Sequence, residues 1–183
     1  MAIILVAIGS NRRHARHGAP RGVVRAAIAA LPGVGCHVLA ASPIIESLPL
    51  GLGSRRYANA VVALEWGHSL PALLAHLKAM ERDFGRRRGR RWGDRVLDLD
   101  IIAADATVMR TRALIVPHRE LARRRFVLDP LVMVAPDWRH PLSGLTARQL
   151  RARALRPKAA PAPEGARLRA AGSLAQSVRA TAF

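Results

Sequence analysis

Arg91-Trp92-Gly93-Asp94-Arg95-Val96-Leu97-Asp98-Leu99-Asp100-Ile101 sets the frame for the rest of the chain. From Leu97 onward apolar and acidic residues alternate. The two-residue period of a β-strand therefore sends Leu97, Leu99 and Ile101 into a core, and Asp98 and Asp100 together onto the other face. Like charges about 7 Å apart repel unless a cation or basic groups lie between them. Paired carboxylate oxygens with open water positions suit Mg²⁺ that also holds substrate phosphates. Read alone, an Asp-x-Asp pair is more often an exposed strand face made soluble by acids, or a pair neutralised by nearby arginines. Its neighbourhood changes that reading. From Arg86 to Arg95 there are six arginines and a single acid, Asp94. Metal carboxylates beside arginines are what phosphoryl transfer uses, because the metal bridges phosphate oxygens and the guanidinium groups offset charge on the leaving group. By composition the arginine loop is also compatible with a solvated cationic surface or an RNA contact.

Working outward, Ile3 to Ile8 is a continuous apolar run closed by Gly9-Ser10-Asn11, a buried strand entering a turn. Val23, Val24, Ala27, Ile28 and Leu31 recur at helical spacing after Pro20, and Pro32-Gly33 stops that helix. Val38 to Leu48 and Ala58 to Glu65 read as strands, separated by the glycine-rich loop Pro49 to Ser54. Ser69 as N-cap and Pro71 open a second helix, whose stripe is Leu70, Leu73, Leu74, Leu77 and Met80, with Lys78 and Glu81 near its edge and an end near Gly85. After the strand Val96 to Ala103 come an expected hairpin partner near Thr107 to Arg110 and helical segments around 119–125, 127–134 and 146–156. Strands and helices mix without alternating one for one. This predicts an α/β fold of the α+β kind, with a mostly antiparallel sheet flanked by helices.

A chain of 183 residues supports one domain with a real core. Residues 1–156 are expected to form it. Residues 157–183, rich in Ala, Pro and Arg, read as a flexible tail. The net charge of +18, carried almost wholly by Arg, favours polyanionic ligands such as nucleoside triphosphates, nucleic acid or anionic lipid without choosing among them. Aromatic residues make up 4% of the chain, so the core must come from Ala, Val, Leu and Ile. The lone Cys36 excludes an intramolecular disulfide and a cysteine-based metal site, and its strand-like surroundings suggest a buried, inert thiol. The apolar start is too short to span a bilayer, and its basic residues follow the apolar run instead of preceding it. A cytoplasmic location is expected.

Tyr57 and Asn59, two apart, share a strand face beside the glycine-rich loop. They offer an aromatic plate and an amide to a flat heterocycle, although an ordinary sheet aromatic also accounts for Tyr57. Alone, His118 near a strand end reads first as structural and the run Arg123-Arg124-Arg125 as a solvated helix face, with a functional role for each as the alternative. Neither a Gly-x-x-x-x-Gly-Lys-Ser/Thr loop nor a Gly-x-Gly-x-x-Gly motif occurs, so any phosphate site is built another way.

Four blocks occur in a familiar order: Ala7-Ile8-Gly9-Ser10-Asn11; Ser47-x-Pro49-x-Gly51 with Tyr57-x-Asn59; Arg91 to Ile101; and Val116-Pro117-His118 with Arg124-x-Phe126-Val127-Leu128-x-Pro130-Leu131. Together they resemble the 6-hydroxymethyl-7,8-dihydropterin pyrophosphokinases of folate synthesis, over residues 2 to about 150. The resemblance implies a ferredoxin-like sandwich that moves the pyrophosphoryl group of ATP to the hydroxymethyl oxygen of the pterin and releases AMP. It implies two Mg²⁺ ions on Asp98 and Asp100, and catalytic roles for Arg86 and Arg95 beside them. The pterin slot would comprise Tyr57 and Phe126 as plates, with Asn59, Ser47, Leu48 and Leu50. Glu81, Trp92, Ile101, His118 and Arg124 would contact ATP, Trp92 from a loop that closes over the site. A monomer is expected, with ATP and the pterin as partners and neither nucleic acid nor membrane. A non-catalytic RNA-binding α+β module is the competing reading. It would display exposed sheet aromatics in an RNP-like pattern, and those are missing. Ala113 and Ile115 stand where some family members place Arg and Thr against ATP, and Arg119 where some place Tyr.

Overall fold

The structure is a computed structural model that describes residues 2–48, 55–85 and 95–156. Leu50, Arg86 and Trp92, the rest of 49–54 and 86–94, and the tail expected at 157–183 lie outside the described residues.

The apolar run at the start forms strand β1 (Ala2–Ser10), followed by helix α1 (Pro20–Ala30) and a 3-10 turn at Leu31–Val34. The segment expected to be one strand from Val38 to Leu48 is two, β2 (His37–Ala41) and β3 (Ile45–Ser47). The break has a local cause. Pro43 lacks an N–H for the ladder, and Ser42 turns its side chain onto the sheet, with Oγ accepting from the Val61 amide at 3.0 Å. Both pieces pair with β4 (Tyr57–Trp66), which leads into α2 (Leu70–Asp83) and β5 (Asp98–Ala104). Ser69 caps α2 through its hydroxyl, which accepts from the Ala72 amide at 3.3 Å, as its position before Pro71 predicts.

The sheet order is β2-β4-β1-β5, with β3 continuing the β2 side of β4, and every pairing is antiparallel. With α1 and α2 as the connections, this is a βαββαβ unit with a ferredoxin-like strand order. The expected hairpin partner of β5 pairs elsewhere. β6 (Met109–Arg110) joins β7 (Ile115–Val116) in a separate two-stranded ribbon. Two-residue strands carry no periodicity, so their partner is a tertiary outcome that the local sequence does not encode. The helix expected around Arg119–Arg125 shrinks to a 3-10 turn at Leu121–Arg123, and α3 (Arg125–Val134) and α4 (Ala147–Leu155) follow.

Two cores sandwich the sheet. On one face Ile4, Val6, Ile8, Leu64, Leu97, Leu99 and Ile101 meet Val23, Val24 and Ala27 of α1 and Leu73, Leu77 and Met80 of α2. On the other, Leu5, Val61, Ala63 and Ile102 meet Val127, Leu128 and Leu131 of α3 and Leu150 of α4. Cys36 is buried in the first core. No helix among the described residues is long and apolar enough to cross a membrane. Leu99 is wholly buried between the carboxylates that flank it in sequence, and Leu99→Ala is expected to cost about 3 kcal/mol, read as a fall in the urea midpoint with an unchanged m-value.

Candidate active site

The sheet register assembles the site. Asn59 of β4 lies opposite Gly9 of β1, and Gly9 lies opposite Asp98 of β5, so three neighbouring strands place these residues in one row. Ile45 of β3 extends that row beyond Asn59. Residues facing each other across an antiparallel pair share a face, here the face covered by α3 and α4. In the next row Val61, Ala7 and Asp100 stand opposite one another. Two strand spacings separate the Asn59 position from the Asp98 position, about 10 Å. Between them Gly9 adds no side chain. A Cβ built on Gly9 would come 3.6 Å from Asn59 Oδ1 and would begin to fill this floor. Gly9 is a site residue that sequence reasoning passed over, because Gly-Ser-Asn is a weak signal until the register shows what flanks it.

Tyr57 opens β4 opposite Ser47 of β3. Asn59 donates from Nδ2 to Ser47 Oγ at 2.9 Å, which fixes the amide and ties it to the strand that leads to Leu48. Leu48 itself is 71% exposed. Phe126, in the first turn of α3, packs against the core on this same sheet face. The Arg124 guanidinium stands 5.8 Å from the centre of its ring, a cation–π distance. The fold thus brings Ser47, Tyr57, Asn59 and Phe126 to the end of the sheet where Asp98 lies.

Asp98 and Asp100 are partly exposed, at 26% and 42% of their side-chain surface. Arg95 donates from one Nη to both oxygens of Asp98, at 2.7 and 2.8 Å. Burial works against the charge on Arg95, yet Asp98, with Asp100 and Glu81 behind it, holds the guanidinium above its usual value. Asn11 anchors this arginine through the main chain: its Oδ1 accepts from the Arg95 amide at 2.8 Å and its own amide donates to the Arg95 carbonyl at 3.2 Å. Asn11, the residue after Gly9-Ser10, therefore links the end of β1 to the entry of β5.

Glu81 does not sit at the edge of the α2 stripe. It is 1% exposed, and one carboxylate oxygen accepts from the Leu99 amide at 2.8 Å and from Lys78 Nζ at 2.6 Å. Lys78 also donates to the Leu99 carbonyl at 3.1 Å and stands 4.0 Å from Asp100. A lysine thus balances both the buried acid and the second carboxylate of the pair. Its spacing of three from Glu81 was the available sequence signal.

At the outer edge of β5, Asp100 and Ile101 line a cavity of about 250 Å³ with Lys78, Ala113, Ile115 and His118. The His118 amide donates to the Ile102 carbonyl at 2.9 Å, seating the residue against the unpaired side of that strand. Burial pushes the His118 imidazole down from its usual value. Asp100 opposes this, and Arg124 and Arg119 add to it. Arg119 also lines the cavity. Ala113 and Ile115, the departures noted from sequence, make part of this wall apolar.

The profile of one protein family, described as 7,8-dihydro-6-hydroxymethylpterin-pyrophosphokinase, matches residues 5–136. The chain belongs to this family. A family protein of Pseudomonas aeruginosa, 2-amino-4-hydroxy-6-hydroxymethyldihydropteridine pyrophosphokinase, is 39% identical over 142 residues, covering 75% of this chain and 83% of that protein. Its namesake in Synechocystis is 45% identical over 94 residues, 51% of this chain, and is matched over 48% of its own length. Among solved structures, a Plasmodium falciparum HPPK-DHPS bound to pteroate superposes with a TM-score of 0.66 at 11% identity. That superposition spans 83% of this chain and 42% of the Plasmodium chain, and it shows a shared fold. The matched residues span all four sequence blocks, from Ala7 to Leu131, and the shared fold is the one those blocks implied.

Proposed function

We infer that this chain transfers the pyrophosphoryl group of ATP to 6-hydroxymethyl-7,8-dihydropterin, giving the pterin diphosphate and AMP in folate biosynthesis. The observation that carries the inference is the placement of Asp98 and Asp100 between Arg95, the Asn59 row and the cavity at the edge of β5. The hydroxymethyl oxygen attacks the β-phosphorus, the bond from that phosphorus to the oxygen bridging to the α-phosphorus breaks, and AMP leaves. The competing reading, a basic RNA-binding module without catalysis, finds no support in the family match.

Each side chain has a task in this reading. Tyr57 and Phe126 stack on the pterin, while Asn59, held by Ser47, hydrogen-bonds its edge with help from Leu48 and Leu50. Ile101, His118 and Arg124 contact the nucleotide. Glu81 acts on it through Lys78 and the Leu99 amide, and Trp92 closes over it. Arg86 and Arg95 offset charge developing on the phosphates. The donor set suits Mg²⁺: two partly exposed carboxylates of hard oxygen, with room for phosphate oxygens and water. Asp98 and Asp100 would hold the metal, with substrate phosphates and water supplying further oxygens. Two Mg²⁺ ions held by Asp98 and Asp100 would polarise the transferred group and orient it toward the pterin oxygen. In the structure Arg95 pairs with Asp98, and with cations on the carboxylates its guanidinium would be available to the phosphates. The reading further takes the chain as a cytoplasmic monomer, with 1–156 as its catalytic domain.

The deciding experiment measures AMP formed from ATP and the hydroxymethyldihydropterin by the wild-type chain. AMP should appear with Mg²⁺ and vanish with excess EDTA. No AMP in Mg²⁺ would overturn the activity, and undiminished AMP in EDTA would overturn the metal role. Tyr57→Ala and Phe126→Ala should each raise the pterin KM roughly tenfold, from lost stacking. The ATP KM should stay within about twofold, and parallel changes in both constants would remove the stacking assignment.

A further inference from the structure

A second cavity among the described residues is larger than the one beside the carboxylate pair. It holds about 560 Å³, against about 250 Å³ for the cavity at β5. It lies at the other end of the site, where the turn after β1, the start of α1 and the facing ends of β3 and β4 meet. No lining residue is common to the two cavities.

Its charge is one-sided. Arg12, Arg13, Arg21, Arg55 and Arg56 line it, with Glu46 as the single acid among the described residues. Glu46 already faces Arg56 at 3.5 Å, Arg21 donates to the Ile44 carbonyl at 3.0 Å and Arg55 is also engaged, yet among the described lining residues one acid stands against five guanidinium groups. The start of α1 adds to it. Ala19 at the N-cap supplies no capping side chain, and the first turn contains no acid, which leaves the positive end of an eleven-residue helix unopposed at the wall. Like charges gathered round a concavity cost free energy unless an anion sits among them. None of these five residues belongs to either hydrophobic core. The volume falls within the ordinary range of small-ligand pockets. Among the described residues a single aromatic, Tyr57, borders it, in contrast to the run of stacking aromatics along a groove by which single-stranded nucleic acid is held.

We propose that the cavity formed by Arg12, Arg13, Arg21, Arg55 and Arg56 is a second anion site, which takes a small molecule bearing two or more phosphates. Arginine forks on successive phosphates provide the recognition. The shared border at Tyr57 and Asn11 places an occupant beside the pterin slot and the anchor of Arg95. The site stands apart from the proposed transfer reaction, and binding rather than turnover tests it.

The test is calorimetric titration of the full chain with inorganic tripolyphosphate, in excess Mg²⁺ and a non-hydrolysable ATP analogue that fills the nucleotide cavity. One further saturable site is expected. Arg12→Gln combined with Arg13→Gln should weaken it at least tenfold, with melting temperature, kcat and ATP KM unchanged. Arg56→Gln, made separately, should weaken it severalfold and guards against a fold defect in the double variant. A parallel titration with ADP separates the sources: tighter binding than tripolyphosphate marks a nucleotide, and weaker binding marks a bare phosphate chain. Absence of a saturable site overturns the proposal, as does equal affinity in all variants. Displacement of tripolyphosphate by an RNA oligonucleotide of higher affinity would reassign the patch to nucleic acid and also overturn it.

Discussion

Asp98→Ala and Asp100→Ala should each lower AMP formation by about a thousandfold, equivalent to ~4 kcal/mol of transition-state stabilisation, while the protein stays folded. Both carboxylates lie on the polar side of β5 and are partly exposed, so truncation leaves no cavity in either core. Asp98→Ala also removes the ion pair with Arg95. With Arg95 35% exposed, that loss is worth up to about 1 kcal/mol. Asp100→Ala removes the 4.0 Å contact with Lys78 and weaker attractions to Arg95 and His118. Thermal unfolding should therefore shift by no more than a few degrees in either variant, and steady-state assays should register the whole effect in kcat. If AMP forms at wild-type rates in either protein, the metal assignment is wrong. If activity and folding are lost together, the pair is structural.

Glu81→Ala should show the opposite signature. The carboxylate is buried, and it accepts both the Leu99 amide and Lys78. Removing it leaves a buried amide without its acceptor and a lysine whose positive charge is balanced only by the more distant Asp100. The expected cost is about 2–3 kcal/mol, below that of breaking a wholly buried pair because Lys78 keeps some water. For a domain of this size the melting temperature should fall by roughly 5–10 °C. Glu81→Gln keeps an acceptor for the amide and loses the charge, so it should retain about half of that stability. Its remaining defect should be a raised ATP KM, because Lys78 is then drawn toward Asp100. A Glu81→Ala protein as stable as wild type, with only a higher ATP KM, would make Glu81 a direct nucleotide contact.

The alternation from Leu97 to Ile101 was legible because strand geometry alone assigns its two faces, and both assignments hold in the structure. The capped start of α2 and the buried Cys36 were legible for similarly local reasons. What escaped was set by partners far along the chain. Pairing of β6 with β7 depends on a turn rather than on any pattern in two-residue strands. The split between β2 and β3 needed the knowledge that Ser42 bonds Val61 across the sheet. Glu81 looked like an edge residue, since a helical period cannot say that a strand amide lies above it. The site residues themselves came from recognising blocks in order. Composition and periodicity alone left Asp98 and Asp100 open to a structural explanation, and the weight of Gly9 and Asn11 emerged only from the register.

β1 is hydrogen-bonded on both sides, to β4 along its whole length and to β5 along most of it. Asn59 and Asp98 reach each other only across this strand, so their separation cannot change without breaking ladder bonds at the centre of the sheet. The amides of β1 around Ile8 should then be among the last to exchange with deuterated water, released only by global unfolding. In that case the spacing between the proposed pterin slot and the carboxylates proposed to hold metal behaves as a fixed ruler, as stable as the protein itself. Whatever motion turnover requires must come from the segments around that ruler.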